Sequence, residues 1–377
     1  MTRYFHRLMI TGFITLCLAA CTRDNKWANG VATTITPVEY ISDDTSLNID
    51  QLGNEVLSFD WEKCVTGNNT LVFYQLLFDK ENGDFSTPIH TITPGTGGTQ
   101  NNVVLTHRDL NRIAAKAGIA QLQAGKIKWR VTASTGVVKA ESGNSRLIQL
   151  QRPAGYAENP ADVFLTGTAT EAGTNPAQAI KFKKITDGVF ELYSSLSAGT
   201  YQFIDKITGT PLSFVLNGVQ IKDGTDGNSP ATVKTAYRIR LDFNTALAEV
   251  TEIVEVGLWF AGYNTITDVL SYNNGGVWKA ANIPIVWSVQ SWGKDERYKF
   301  RVREKDSNGV ITDRFWGSSK IDNIRPISST AASYYYFISN DNSRWDYTYK
   351  FEKEAAQADV LVKFQAANPY THQVIYY

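Results

Sequence analysis

Lys126-Ile127-Lys128-Trp129-Arg130-Val131-Thr132-Ala133 decides the fold of the segment around it. Apolar residues stand at the odd positions, and polar ones at the even positions until Ala133. A period of two is the mark of a strand with one face buried. Working outward, Val56-Leu57-Ser58-Phe59-Asp60-Trp61 reads as another strand, and residues 71–78 form a denser apolar run expected to be buried on both faces. Leu147-Ile148-Gln149-Leu150 closes the set, and Arg152-Pro153 begins a linker. One helix interrupts the strands. Thr106 with Asp109 three residues on resembles a capping box, Leu110, Ile113, Ala114 and Ala117 line one face, and Gly118 stops it. His107, in the first turn, reads as a solvated helix-start residue.

The rest of the chain has the same texture. It has 377 residues, with 18 Phe, 18 Tyr and 9 Trp, and Gly, Asn, Thr and Ser punctuate short apolar runs throughout. The fold class expected is all-β, and the length suits two or three domains. Charge is balanced at 37 basic and 37 acidic residues, which gives no nucleic-acid footprint. The cysteines are Cys17, Cys21 and Cys64, too few and too scattered for a disulfide framework, and Cys64 reads as a small core residue. No metal motif or cofactor-binding motif is present, so none is expected.

The N-terminus reads as an export signal. Arg3, His6 and Arg7 precede an apolar run over residues 8–20, interrupted by Thr11, Gly12 and Thr15. That run is about 13 residues, short of the roughly 20 needed to span a bilayer. Leu18-Ala19-Ala20-Cys21 resembles the bacterial lipobox, in which the cysteine is lipidated and becomes the first mature residue. This divides the start of the chain into a lipoprotein signal peptide, 1–20, and a tether, 21–30, followed by a first module, 31–152.

Two further modules, 160–254 and 255–377, repeat one pattern. Val256-Gly257-Leu258-Trp259-Phe260 parallels residues 163–166, Gly276-Val277-Trp278 parallels Gly188-Val189-Phe190, and Tyr298-Lys299-Phe300 parallels Tyr201-Gln202-Phe203. From the glycine to the tyrosine is 13 residues in the first copy and 22 in the second. The added residues carry Trp287 and Trp292. Lys222-Asp223-Gly224-Thr225-Asp226-Gly227-Asn228 reads as a hairpin loop, since a calcium loop would need a twelfth-position Glu. The middle module has no tryptophan and is expected to be a spacer or a weak site. Trp259 and Trp278 sit at strand positions and read as core. Trp292, Trp316 and Trp345 lie in polar loop surroundings, where an apolar ring costs free energy unless something covers it. The site expected for the last module is therefore Trp287, Trp292, Trp316 and Trp345 as stacking rings, with Lys294, Arg314 and Asn340 as hydrogen-bond partners. The alternative is that these rings fold back on the sandwich as a lid. Residues 334–338, Tyr-Tyr-Tyr-Phe-Ile, read as a strand, and His372, in the last hairpin, as structural.

Leu105-Thr106-x-x-Asp109-Leu110-Asn111 followed by Gly125-Lys126-Ile127-Lys128-Trp129-Arg130-Val131-Thr132-Ala133 is similar to the N-terminal Ig/fibronectin-type module of the SusE/SusF family of Bacteroidetes surface lipoproteins. The resemblance implies three tandem β-sandwich modules, Ig/fibronectin-like first, then two like starch-binding modules. It implies a first module acting as a spacer, a lipid anchor in the outer membrane facing the cell exterior, polysaccharide or oligosaccharide as ligand, and a SusC/SusD-like transporter complex as partner. The chain holds no Gly-x-Ser-x-Gly elbow, and a pair of glycosidase carboxylates leaves no sequence mark. The reading favoured is a non-catalytic glycan-binding lipoprotein. The alternatives are an assembly component of the uptake complex with no ligand of its own and, third, a glycoside hydrolase.

Overall fold

A computed structural model describes residues 34–50, 54–67 and 69–377. The signal, Cys21 and the tether lie outside the described residues. The fold is all-β and multi-module, and the chain divides into two compact units, one ending at Pro153 and the other spanning Ala154–Tyr377.

In the first unit the strand Ala124–Ser134 is the centre of a sheet. It pairs with Phe73–Lys80 on one side and with Arg146–Gln151 on the other, and Thr45–Asn48 joins the latter in parallel. Its alternation is realised as expected: Ile127, Trp129, Val131 and Ala133 are buried. They face the two-stranded pair Val56–Asp60 and Asn102–Thr106, and the Phe59 ring meets Trp129 edge-on at 5.1 Å. In Phe73–Lys80 only the second half, from Leu76, is covered on both faces, while Phe73 and Gln75 are exposed. The helix His107–Lys116 is present with its capping box: the Asp109 amide donates to the Thr106 hydroxyl at 3.2 Å, and the Thr106 amide to the Asp109 carboxylate at 3.2 Å. Leu110, Ile113 and Ala114 bury its apolar face, and Cys64 lies in the same core. His107 departs from expectation. It is buried, and its Nδ1 accepts from the Asp50 amide at 2.8 Å, so the ring holds a neighbouring loop against the helix start.

The second unit holds two cores. One gathers Val163, Leu165, Phe190, Phe203, Phe214 and Phe243, and the other Val256, Leu258, Phe300, Phe351, Val360 and Val362. A single strand, Leu247–Phe260, serves both. Its first half pairs with Thr235–Asp242, and its second half with Arg297–Lys305 and Thr265–Tyr272. The register slips between Ile253 and Glu255, so a bulge at Val254 marks the handover, and the backbone continues through it. Buried charge accompanies the shared strand. Arg238 contacts Glu304 at 3.1 Å, Glu249 at 3.3 Å and Glu191 at 3.4 Å, and the Tyr370 hydroxyl donates to Glu191 at 2.9 Å. Buried charges persist only when paired in this way. Glu171 makes a second tie, accepting from the Ser195 and Gly275 amides at 2.7 Å each and from the Tyr272 hydroxyl.

Tyr334-Tyr335-Tyr336 is not a strand. Ala332–Tyr335 form a 3-10 turn, and the next strand is Ile338–Asn340. The Tyr334 amide bonds to the Ala331 carbonyl at 3.0 Å, and the Tyr334 hydroxyl donates to the Ile324 carbonyl and accepts from the Lys350 amide. The turn satisfies the Tyr334 and Tyr336 amides locally, while the carbonyls of Tyr335 and Tyr336 accept from the side chains of Thr371, His372 and Tyr349, and Tyr336 keeps an isolated bridge to Thr371. The last hairpin, Ala355–Lys363 with Thr371–Tyr376, forms as expected.

Candidate functional site

The added residues of the last module fold into a small hairpin, Ser288–Gln290 with Gly293–Asp295, turning at Ser291 and Trp292. Gly293 follows the turn at φ +131°, a conformation open to glycine and strained for other residues. The hairpin lies against the turn at 261–264: the Gln290 side-chain amide donates to the Gly262 carbonyl at 2.8 Å. Any Cβ at Gly262 would stand 2.5 Å from that of Ser288, so the approach requires glycine there.

This packing holds Trp292 out in solvent, 64% exposed, with its ring edge-on to Trp345 at 5.9 Å and 76°. Two guanidinium groups pack against the Trp345 ring. The Arg344 guanidinium lies 4.1 Å from its ring centre and that of Arg297 lies 4.4 Å away. Each guanidinium is itself tied. Arg344 donates to the carbonyls of Ala261 at 2.9 Å and Gly262 at 3.1 Å, and Arg297 pairs with Asp295. Stacking against an aromatic face with its donors spent in plane is what a planar guanidinium does and an ammonium cannot. Trp287 is half-buried against the core, with Arg325 over its ring at 4.3 Å. Its amide and Lys294 converge on Glu354, at 3.1 and 2.7 Å. The Lys294 hydrogen bond first, then the Trp287 amide, hold the Glu354 carboxyl below the usual carboxylate range. Tyr263, Val286 and Val289 are exposed beside the hairpin.

The structure therefore brings Trp287, Trp292, Trp345 and Lys294 to one end of the module. It puts the other three expected residues elsewhere. Trp316 is 8% exposed and packs on Phe337, Phe364 and Tyr370 in the core. The strand Ile311–Gly317 pairs Trp316 with Phe300, and that register turns the ring inward. Arg314, two residues earlier on the same face, pairs with the buried Glu304 at 3.3 Å. Asn340 donates to the Ser318 carbonyl at 3.1 Å. Trp278 is core as expected, while Trp259 is half-buried and faces Phe315. Arg344 and Arg297 join the site only in the folded chain: in sequence the first is a polar neighbour of Trp345 and the second ends the charged cluster Lys294-Asp295-Glu296-Arg297 after Trp292.

The ionisable groups at this end neutralise one another. Asp295 meets Arg297, Glu296 meets Arg325 at 3.2 Å, and Glu354 meets Lys294. Glu354, whose carboxyl Lys294 holds below the usual carboxylate range, is a poor general acid. Among the described residues, no group of three or more His, Cys, Asp or Glu side chains is arranged to hold a metal ion. Where the middle module meets residues 305–307 of the last, a hollow of about 430 Å³ opens beside Leu196, Tyr201, Phe203 and Tyr237, with the paired Glu252 and Lys305 in its lining.

Residues 24–132 match the SusE outer membrane protein family. The match takes in the helix His107–Lys116 and most of the strand Ala124–Ser134, the two motifs that carry the resemblance, and stops short of the strand Arg146–Gln151. It ends before the second unit begins, so the tryptophan-bearing end stands on its own geometry. A solved structure, SusF from Bacteroides thetaiotaomicron, is similar to this chain at 12% identity over 91% of this chain and 77% of that one. The TM-score of 0.26 is too low for that likeness to carry an argument. No curated protein matches the chain.

Proposed function

We propose that this chain is a non-catalytic glycan-binding lipoprotein of the bacterial outer membrane, one that captures polysaccharide or oligosaccharide for an uptake system. The observation that carries the reading is the Trp292 ring, exposed and edge-on to a Trp345 against which two guanidinium groups pack. Such rings meet the C–H face of a sugar, and the side chains of Lys294 and Gln290, on the same hairpin as Trp292, are polar partners for its hydroxyls. Paired carboxylates at the same end favour binding over hydrolysis.

The modules divide the work. The SusE-type module, 31–152, lifts the binding modules from the membrane. The module at 160–254 is a spacer or a weaker site, and that at 255–377 carries the platform. Cys21 is the lipid anchor, the modules face the cell exterior, and a SusC/SusD-like transporter is the partner that receives the glycan. Replacing Cys21 with Ala should move the protein from membrane to soluble fractions, and full retention in the outer membrane would remove the anchor from this account.

The test of function is retention on insoluble polysaccharides together with an assay for released sugar. Retention without release supports the proposal. An assembly component without a ligand would be retained by none of them, and a hydrolase would release product.

A further inference from the structure

The opposite end of the last sandwich has a second concave surface. The strand Ala355–Lys363 starts opposite Ile285, beside Trp287 and Glu354, and finishes opposite Val277. At about 3.3 Å per residue, its nine residues separate the two ends by roughly 26 Å. At the far end Tyr335, Tyr336, Gln365, Asn368, Pro369 and Gln373 bound a hollow of about 300 Å³. The Tyr336 side chain is 38% exposed. Tyr335 stands edge-on to His372 at 5.3 Å. His372 forms the floor, with Nδ1 donating to the Tyr335 carbonyl at 3.1 Å and Nε2 accepting from the Tyr298 hydroxyl at 2.8 Å. Burial depresses its pKa to about 3, so the floor stays uncharged.

The chemistry of this hollow selects its ligand. Lys363 is the one cation lining it, and its ammonium already donates to the Gln373 side-chain oxygen at 2.8 Å, while the Lys183 ammonium beside it donates to the Asn368 backbone carbonyl at 2.8 Å. The Lys363 bond leaves the Gln373 amide nitrogen as a donor, beside Asn368 and Gln365, whose side chains each offer a donor and an acceptor. Tyrosine rings and a proline supply apolar faces. A wholly apolar ligand would strand these amides, and an anion would find only ammonium groups already engaged by Gln373 and by the Asn368 carbonyl. A neutral sugar, apolar on its C–H face and ringed with hydroxyls, answers both sets of groups.

We propose that Tyr335 and Tyr336 form a second glycan-contact site, and that the two ends of this module grip one polysaccharide chain together. Once one end is bound, the other meets the same chain at high effective concentration, which can raise overall affinity by roughly 10²–10⁴ when the chain spans both. A trisaccharide is too short to do so. The bivalent grip rests on the function proposed above, whereas the tyrosine site does not.

The experiment is calorimetric titration of the full chain, wild type and variants, with maltotriose, cellotriose, laminaritriose and mannotriose, and with the soluble polymer of whichever series binds. Tyr336→Ala removes the ring and keeps the carbonyl that accepts from the Tyr349 hydroxyl, so folding is expected to survive. Gln373→Ala is the second probe. Each variant, like Trp292→Ala, should bind one trisaccharide fewer than wild type and lose at least tenfold in affinity for polymer. Wild-type stoichiometry and polymer affinity in both Tyr336→Ala and Gln373→Ala would overturn the inference and leave the Trp292 site standing. Loss in those variants with none in Trp292→Ala would keep the tyrosine site and overturn the grip and the tryptophan platform. Failure of wild type to bind any member of the set would overturn both.

Discussion

Trp292 and Trp316 look alike in sequence, each next to a glycine, yet their replacement by alanine should have opposite consequences. With 64% of its surface in solvent, Trp292 covers roughly a third of a side chain that can bury up to about 250 Å², or about 90 Å². At about 25 cal/mol per Å², Trp292→Ala costs no more than about 2 kcal/mol, and the unfolded chain's own residual burial lowers that further. Trp316, 8% exposed and surrounded by three aromatic rings, belongs with core truncations that cost about 3–5 kcal/mol. Binding should follow the reverse order. A stacking ring is worth about 1–3 kcal/mol by analogy with bases on aromatic side chains, roughly five- to 150-fold in affinity. The assay is a pair of measurements on each variant: the melting temperature, and the affinity for a retained glycan. Trp292→Ala should melt within a few degrees of wild type and bind far more weakly. Trp316→Ala should melt much lower and, where still folded, bind normally. Unchanged binding in Trp292→Ala, or weakened binding with unchanged melting in Trp316→Ala, would refute the assignment of the platform.

Arg344→Ala removes one of the two guanidinium groups against the Trp345 ring and two donors to the 261–262 carbonyls, so glycan affinity should fall several-fold. Arg344→Lys should not restore it, because an ammonium cannot stack and fork at once. His372 should make stability depend on pH. Its folded pKa of about 3 lies below the ordinary value of about 6.5, so the unfolded chain takes up the proton first, and stability is lost as pH falls below about 6.5. Between pH 7 and pH 5 the loss is about 2 kcal/mol, and His372→Gln should shrink the difference in urea midpoints accordingly. A fragment starting at Ala154 is a compact unit with both of its cores and should fold and bind glycan without the first unit. Correct circular dichroism with lost binding would assign part of the site to the first module.

What the sequence determined by itself is whatever a few adjacent residues decide. The alternation at 126–133 sets which face of that strand is buried, and Thr106 with Asp109 starts a helix, because period and capping act within one turn or one pleat. The crowding of tryptophans into an enlarged copy of a repeat likewise pointed to the end of the module where Trp287, Trp292 and Trp345 meet. Tertiary structure decided the rest. Trp316 turned inward through its pairing opposite Phe300, and Trp292 outward through a hairpin seated on Gly262. His107 was buried by an amide 57 residues away, and the expected strand at 334–336 gave way to a 3-10 turn held in place by the Tyr334 hydroxyl on Ile324 and Lys350. Arg297 and Arg344 came to pack against Trp345 because the loop at 341–347 folds over the strand Arg297–Lys305, where Lys299 donates to the carbonyls of Asp341 and Ser343. Local periodicity fixes which side of an element is apolar, but which ring on that side is covered depends on strand register and loop closure between residues distant in the chain.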